Sequence, residues 1–189
     1  MVNRNVSIDT MKGALIFLVV LGHVLLGSLD ENPLRYLIYS FHMPAFFFVS
    51  GYLLNIEKLK ALSIKDFCAK YWHRMLKMWL LAWCIYTLYV LRNDISFIAI
   101  LQQIYKPYYH LWFVPALFLS ISLVYFVFRI IKSDVIALCM LMLFGLFAFN
   151  LSISNFKVSS FISLEISVFL FLGIVFRQLK PITISCWGG

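Results

Sequence analysis

Six apolar runs, each close to the length that a helix needs to cross a membrane, constrain the fold of this chain most strongly. They occupy Met11–Ser28, Leu34–Leu54, Leu76–Leu91, Leu111–Ile131, Val135–Leu151 and Ser160–Phe176. Of the 189 residues, 63% are hydrophobic and 13% are charged, which is typical of membrane proteins rather than soluble domains. The sequence therefore predicts an all-α fold: a polytopic integral membrane bundle of about six transmembrane helices, in one domain over residues 1–189.

The distribution of basic residues predicts the orientation of this bundle. With the N-terminus in the cytoplasm, all but four of the 16 Lys and Arg residues fall in cytoplasmic segments. The four exceptions are Arg35, Arg92, Lys106 and Lys157. Because segments rich in Lys and Arg stay on the cytoplasmic side, the sequence predicts a multi-pass plasma-membrane protein with its N-terminus inside. The net charge of +8 then reflects topology, and no nucleic-acid partner is expected.

The segment Glu57–Lys77 differs from the six apolar runs. Basic residues alternate there with apolar and aromatic ones. The basic residues are Lys58, Lys60, Lys65, Lys70, Arg74 and Lys77. This pattern predicts a basic amphipathic helix that lies on a membrane surface and then turns into the third run.

The first apolar run carries ionisable side chains where a membrane helix rarely has them. Lys12 and His23 are eleven residues apart. That spacing places them on one helix face, about 16 Å apart along the axis. Asp9 shares this face, where it can pair with Lys12. Because an ionisable group inside a membrane is costly, His23 is a candidate functional residue.

Two further histidines fall at a similar predicted depth. His42 lies eight residues after the start of the second run, which is about 12 Å into the membrane. His110 stands with Trp112 at the outer mouth of the fourth run. The common depth of the three imidazoles predicts a shared cavity that opens outward, with Lys12 at its inner end.

Three segments together resemble the acyltransferase-3 family of membrane-bound acyltransferases. The spacing from Lys12 to His23 is similar to the R/K-x10-H signature of that family. The segments Phe41–Leu54 and His110–Phe118 are similar to its F-H-M-P…F-F-F-x-S-G-Y and L-W-F-x-P-A-L-F strings, in the branch of fucose 4-O-acetylase-like proteins. The likeness extends from about Ser7 to Lys180, which is most of the chain.

The resemblance implies an enzyme of the bacterial inner membrane that transfers an acyl group, usually acetyl, from cytoplasmic acyl-CoA. The acceptor is a hydroxyl of an extracytoplasmic or lipid-linked sugar. His23 is then the base that takes the hydroxyl proton, and His42 orients it or binds the acceptor. Lys12 meets the phosphates of CoA. His110 and Trp112 contact the sugar, Trp112 by stacking its ring on the sugar face.

No metal and no bound cofactor is expected, since acetyl-CoA acts as a co-substrate. The four cysteines form no C-x-x-C pair, so neither a metal site nor a disulfide framework is predicted. Glu165, in the sixth run, has no predicted partner.

Structural roles remain open for the same residues. Lys12 can be a positive-inside anchor, and His23 can be a buried histidine bonded to a neighbouring helix. His42 can belong to a helix-distorting element, and Trp112 to an interfacial aromatic belt. The pair Ser50–Gly51 is predicted to form a close helix contact rather than a catalytic group.

Two other functions remain open. Members of the family usually have more membrane spans than this chain, so it is predicted to be C-terminally truncated relative to them and can be an inactive remnant. A small transporter with histidines along its path is the third possibility. It is disfavoured because no histidine follows His110. The sequence predicts neither the acceptor, nor the acyl length, nor the oligomeric state.

Overall fold

The structure, a computed structural model, describes residues 6–25, 32–92, 96–105, 111–153 and 164–179. Within these ranges all regular structure is helical, as the sequence predicts. The helices are α1 (Val6–Val24), α2 (Pro33–Leu53), α3 (Ile56–Lys60), α4 (Ile64–Tyr71), α5 (Lys77–Val90), α6 (Phe97–Tyr105), α7 (Phe113–Ile130), α8 (Asp134–Ile153) and α9 (Ser167–Leu179). A π-helical turn occupies Trp72–Leu76, and a 3-10 turn occupies Leu164–Ile166.

Each predicted apolar run forms a helix in the part of the chain that the structure describes. The first five runs correspond to α1, α2, α5, α7 and α8, and α9 with the 3-10 turn before it covers the described part of the sixth. The helix α6 was not predicted, because its nine residues are too few to form a membrane-length run.

The basic segment Glu57–Lys77 is not the single helix that the sequence predicts. The Asn55 side chain accepts a hydrogen bond from the backbone N–H of Lys58. The Ser63 hydroxyl accepts one from the backbone N–H of Asp66. These two caps begin α3 and α4 separately, since a side-chain oxygen satisfies N–H groups that are unpaired at a helix start. From α4 the chain continues through the π-helical turn into α5.

Among the described residues, one helix is both long and apolar enough to cross a membrane. It is α7, Phe113–Ile130, with a mean hydropathy of 2.1. Three shorter apolar helical segments occupy Thr10–Gly22, Asp134–Asn150 and Ser167–Leu179. The predicted apolar runs are therefore confirmed as helical in the described residues, while the bundle of about six membrane spans stays a prediction.

The chain divides into two compact units. The terminal unit comprises residues 1–53 and 169–189, and the central unit comprises residues 54–168. The terminal unit thus contains α1, α2 and most of α9, while the central unit contains the helices from α3 to α8.

In the terminal unit, α2 and α9 cross so closely that their backbones touch. A Cβ atom added at Gly51 would lie 2.8 Å from the carbonyl carbon of Leu170, and one added at Gly173 would lie 2.8 Å from the backbone nitrogen of Tyr52. Beside this crossing, the Arg177 guanidinium donates to the carbonyl of Tyr52 at 3.3 Å. The predicted close helix contact at Gly51 is confirmed.

In the central unit, α4 packs on α7 through aromatic rings. Phe67 and Tyr71 are the buried residues of α4. The ring of Phe67 stacks on that of Tyr125, with centroids 4.4 Å apart, and it lies 6.2 Å from the ring of Phe118. Such offset aromatic contacts add to the free energy of burying the rings themselves.

Polar contacts hold the connection between α3 and α4 against α7 and α8. The carbonyl of Leu62 accepts hydrogen bonds from the Tyr125 hydroxyl at 3.0 Å and the Arg129 guanidinium at 3.1 Å. The Lys60 ammonium donates to the carboxylate of Asp134. This hydrogen bond and the negative charge of Asp134 raise the pKa of Lys60 above its usual range.

Replacing Gly51 or Gly173 with alanine is expected to destabilise the protein by about 1–3 kcal/mol, because the added methyl group overlaps backbone atoms. Gly13→Ala is the matched control, since no atom lies within 4 Å of a Cβ placed there. That variant is expected to gain up to about 1 kcal/mol in helix propensity. Thermal unfolding of the purified variants measures the difference. Equal midpoints for all three variants would contradict the close crossing.

Candidate functional site

The helix α1 carries two of the predicted site residues. Lys12 lies in its second turn and is half-buried. His23 is the last residue but one of α1, and its side chain lies outside the described part of the structure. Because α1 is continuous from Val6 to Val24, the two backbone positions are about 16 Å apart along the axis.

His42 is a buried polar residue of the terminal unit. Only 1% of its surface is exposed. Its Nδ1 atom lies 2.6 Å from the carbonyl oxygen of Ile38, four residues earlier on α2. The ring of Tyr39 meets the imidazole edge to face, with centroids 5.2 Å apart. The helix on which His42 lies thus holds its ring on two sides.

The contact with Ile38 determines which nitrogen of His42 carries the proton. A carbonyl oxygen only accepts hydrogen bonds, so Nδ1 must be the donor. In the neutral ring, Nε2 then keeps a lone pair. His42 therefore offers a hydrogen-bond acceptor at Nε2 from a fixed and buried position, which is how a histidine orients a second polar group.

The packing of α1 on α2 brings the His23 backbone to the turn that holds His42. Gly22, the residue before His23, is buried. A Cβ atom added at Gly22 would lie 3.0 Å from Cε2 of Tyr39 and 3.3 Å from Cγ2 of Ile38. The helix contact thus falls on the same two residues that hold the His42 ring.

Trp112 lies in the central unit, directly before α7. It is half-buried, and its ring meets that of Phe113 at 75° with centroids 6.4 Å apart. The residue before it, Leu111, accepts a hydrogen bond from Nε1 of Trp79 at 2.7 Å. Trp79 therefore fixes the turn from which Trp112 extends.

Two tryptophans of α5, which belong to none of the predicted site motifs, contribute to this region. Trp79 and Trp83 stack with centroids 6.5 Å apart, and Nε1 of Trp83 donates to the carbonyl of Gln103 at 3.2 Å. Their spacing of four residues places them on one helix face, which is the signal that could have found them. Each ring reaches a backbone carbonyl that belongs to a different part of the chain, so the partners could not be predicted.

The predicted site residues divide between the two units. Lys12, His23 and His42 belong to the terminal unit, and Trp112 belongs to the central unit. His110 lies outside the described residues. The structure packs Gly22, the residue before His23, against Ile38 and Tyr39 on the helix that carries His42. The shared cavity of three histidines stays a prediction.

The described part of the chain contains no group of three His, Cys, Asp or Glu side chains that could hold a metal ion. The cysteines Cys68, Cys84 and Cys139 are free thiols with exposed side chains. Glu165 is half-buried within the 3-10 turn before α9.

Comparison with protein families identifies the chain. The model of the acyltransferase-3 family, described as an acyltransferase domain, matches residues 5–185. The chain belongs to the acyltransferase-3 family. This match confirms the resemblance that the Lys12–His23 spacing and the two aromatic segments suggested, at the level of the family.

Two curated proteins are also similar to this member of the family. Nodulation protein NolL of Sinorhizobium fredii (strain NBRC 101917 / NGR234) is 37% identical over 91 residues, which cover 43% of this chain and 24% of that protein. Nodulation protein NolL of Mesorhizobium japonicum (strain LMG 29417 / CECT 9101 / MAFF 303099) is 30% identical over 140 residues, which cover 65% of this chain and 35% of that protein. The chain thus spans only 24–35% of the length of these relatives. No solved structure gives a significant match.

Trp79→Phe is expected to lower the free energy of unfolding by about 1 kcal/mol, because the carbonyl of Leu111 loses its indole donor while an aromatic ring remains. Trp72→Phe is the matched control, since Trp72 is 44% exposed. Thermal unfolding of the two variants gives the comparison. If Trp79→Phe is as stable as the control, the hydrogen bond does not hold the turn before Trp112.

Proposed function

We propose that this chain is a membrane-bound O-acyltransferase that moves an acetyl or related acyl group from acyl-CoA to a hydroxyl of a sugar. Membership of the acyltransferase-3 family supports the transfer of an acyl group. The observation that carries the proposal is the buried His42, whose Nδ1 is bound to the carbonyl of Ile38 so that Nε2 is an acceptor. Acyl transfer to a hydroxyl needs a correctly oriented base, and an imidazole has a suitable pKa range.

The proposed protein crosses the bacterial inner membrane several times, with its N-terminus in the cytoplasm. Its large exposed apolar side chains support this location, since soluble monomers rarely expose extended apolar patches. The exposed apolar side chains are spread along the length of two helices. On α5 they are Met78, Leu81, Ile85, Leu88 and Tyr89, and on α8 they are Val135, Met140, Leu143 and Phe147. The excess of Lys and Arg in the predicted cytoplasmic segments supports the orientation.

In the proposed reaction, His23 takes the proton of the acceptor hydroxyl as its oxygen attacks the thioester carbonyl. The new C–O bond forms, the C–S bond breaks, and the CoA thiolate leaves with the electron pair of that bond. The imidazolium of His23 then returns the proton to the thiolate, so the histidine is regenerated. Every proton in this sequence moves through one imidazole.

His42 acts in this proposal as a positioning residue. Its burial keeps it from bulk water, and its Nε2 lone pair can accept a hydrogen bond from the ring of His23. That bond would leave the opposite nitrogen of His23 unprotonated and ready to act as a base, in the manner of a catalytic triad. The packing of Gly22 on Ile38 and Tyr39 supports this pairing, because it puts the residue before His23 against the helical turn that precedes His42.

The donor and the acceptor are assigned to different residues of the chain. Lys12 is proposed to contact the phosphates of CoA, and the acceptor is proposed to contact His110 and Trp112. The half-buried indole of Trp112 supports the stacking of a sugar ring. Its place in the L-W-F-x-P-A-L-F string favours the fucose 4-O-acetylase-like branch and therefore a glycan acceptor.

His23→Ala is expected to abolish transfer of labelled acetyl from acetyl-CoA to a mixed glycan acceptor, because the reaction loses its base. His42→Ala is expected to lower kcat by about 100-fold with little change in the KM of the acceptor, since it removes the group that orients the base. Membranes that contain equal amounts of each protein allow the comparison.

A rise in the acceptor KM at unchanged kcat in His42→Ala would instead give His42 the role of binding the acceptor. His73→Ala is the matched control, since His73 is an exposed histidine of the central unit and is expected to leave transfer unchanged. Full activity of the His23→Ala protein would reject the proposed base.

Lys12→Ala is expected to weaken binding of labelled acetyl-CoA to the purified protein about tenfold, which corresponds to about 1.4 kcal/mol. The reason is the loss of a charged contact with a phosphate group. Lys12→Arg keeps the positive charge and is expected to bind nearly as well as the original protein. Unchanged binding by Lys12→Ala would leave Lys12 as a topology anchor. This measurement needs no acceptor, so it tests the donor site separately from transfer.

A further inference from the structure

The aromatic ring of Tyr39 contacts two parts of the terminal unit at once. One contact is with α1: a Cβ atom added at Gly22 would lie 3.0 Å from Cε2 and 3.5 Å from Cδ2 of Tyr39. The other contact is with His42, whose imidazole meets the Tyr39 ring at 87° with centroids 5.2 Å apart. A single side chain therefore joins the packing of α1 on α2 to the buried imidazole.

The spacing of residues along α2 produces this arrangement. Tyr39 and His42 are three residues apart, and Ile38 and His42 are four residues apart. Residues at these separations are neighbours on a helix surface. The Ile38 carbonyl lies 2.6 Å from Nδ1 of His42, while the Tyr39 ring packs on the imidazole itself.

The two contacts restrain the His42 ring in different ways. The hydrogen bond to the Ile38 carbonyl holds one atom, Nδ1, so the ring could still tilt about that atom. The Tyr39 ring restrains the plane of the imidazole, because aromatic pairs favour the edge-to-face arrangement found here. Together they fix the direction in which Nε2 points, and Nε2 is the atom that the proposed function uses to orient His23.

The glycine on α1 determines where the Tyr39 ring can lie. Gly22 is buried, and a Cβ atom placed there would be closer to the Tyr39 ring than ordinary van der Waals contact allows. A side chain at this position would therefore push the ring, and with it the group that restrains His42. The close approach of α1 depends on the missing side chain of Gly22.

We propose that Tyr39 is a positioning residue for acyl transfer, whose ring transmits the packing of α1 to the imidazole of His42. Its catalytic effect rests on the proposed function, in which His42 orients the base. The restraint on the His42 ring does not depend on that function and can be measured without transfer. The aromatic ring is the acting group, since it makes both contacts.

Exchange of the Nδ1 proton of His42 with water measures the restraint directly. The full chain is labelled with isotope-enriched histidine and studied by NMR in detergent, and the signal is assigned by its loss in His42→Ala. Tyr39→Leu is expected to speed the exchange about fivefold, because the imidazole leaves the Ile38 carbonyl more often without the edge-to-face contact. Tyr39→Phe keeps the ring and is expected to exchange at the original rate.

Tyr36→Leu is the matched control, since Tyr36 lies on the same helix and is 62% exposed. It is expected to leave the exchange of the His42 proton unchanged. An unchanged rate in Tyr39→Leu would overturn the proposal, and so would an equal increase in Tyr39→Leu and Tyr36→Leu, which would show general loosening of α2. If Tyr39→Leu fails to fold, Gly22→Ala decides the question, because it displaces the same ring and leaves α2 unaltered. Unchanged exchange in that variant would also overturn the proposal.

Transfer of labelled acetyl gives a second readout. Tyr39→Leu is expected to lower kcat about fivefold and to leave the KM of acetyl-CoA unchanged, since the ring acts on an orienting group rather than on the donor. Tyr39→Phe is expected to keep the original kcat. An equal loss in both variants would assign the effect to the hydroxyl and would overturn the role of the ring. If the original chain transfers no acetyl, the proposed function fails, while proton exchange still tests the positioning of His42.

A double variant tests the connection to α1. Gly22→Ala is expected to lower kcat about threefold, because the added methyl group displaces the Tyr39 ring. Gly13→Ala is its control, since no atom lies within 4 Å of a Cβ placed there. In the Tyr39→Leu protein, Gly22→Ala is expected to have little further effect, because the ring through which it acts is gone. Losses that multiply in the double variant would show two independent effects and would overturn the connection.

Discussion

The crossing of α2 and α9 at Gly51 and Gly173 is the contact on which the terminal unit depends. The two helix backbones touch there, and no side chain larger than hydrogen fits at either position without displacing backbone atoms. Because α2 also carries His42, this crossing couples the placement of a site residue to a segment far along the chain. The Arg177 guanidinium reinforces it by donating to the carbonyl of Tyr52.

The site on α2 combines a local and a tertiary contribution. The hydrogen bond from Nδ1 of His42 to the carbonyl of Ile38 spans four residues, so the helix alone sets the ring tautomer. Burial of the ring to 1% exposure needs the packing of neighbouring helices. Gly22 of α1 packs closely on Ile38 and Tyr39 because glycine has no side chain to hold the helices apart. A buried imidazole whose second nitrogen can accept a hydrogen bond is what an orienting role requires.

The central unit relies on aromatic side chains that also have polar tips. Trp79 and Trp83 stack on each other while each indole reaches a backbone carbonyl, and Tyr125 stacks on Phe67 while its hydroxyl reaches Leu62. Trp79, Trp83 and Tyr125 thus each pack against another ring and satisfy a part-buried backbone carbonyl. The same packing leaves an open groove whose lining includes Cys68 of α4, Trp72 of the π-helical turn and Phe118 of α7.

The sequence by itself determined the helical class, most helix positions and the family, because apolar periodicity, length and motif spacing are properties of the chain. It also predicted the close contact at Gly51, since small residues in apolar helices mark such crossings. The Ser63 cap that divides the basic segment is also local, since its partner Asp66 is three residues away. Only the tertiary structure decided that Gly51 meets Leu170 and that Trp79 holds the turn before Trp112. These partners are distant in sequence. Their choice depends on how the helices pack, which no local pattern encodes.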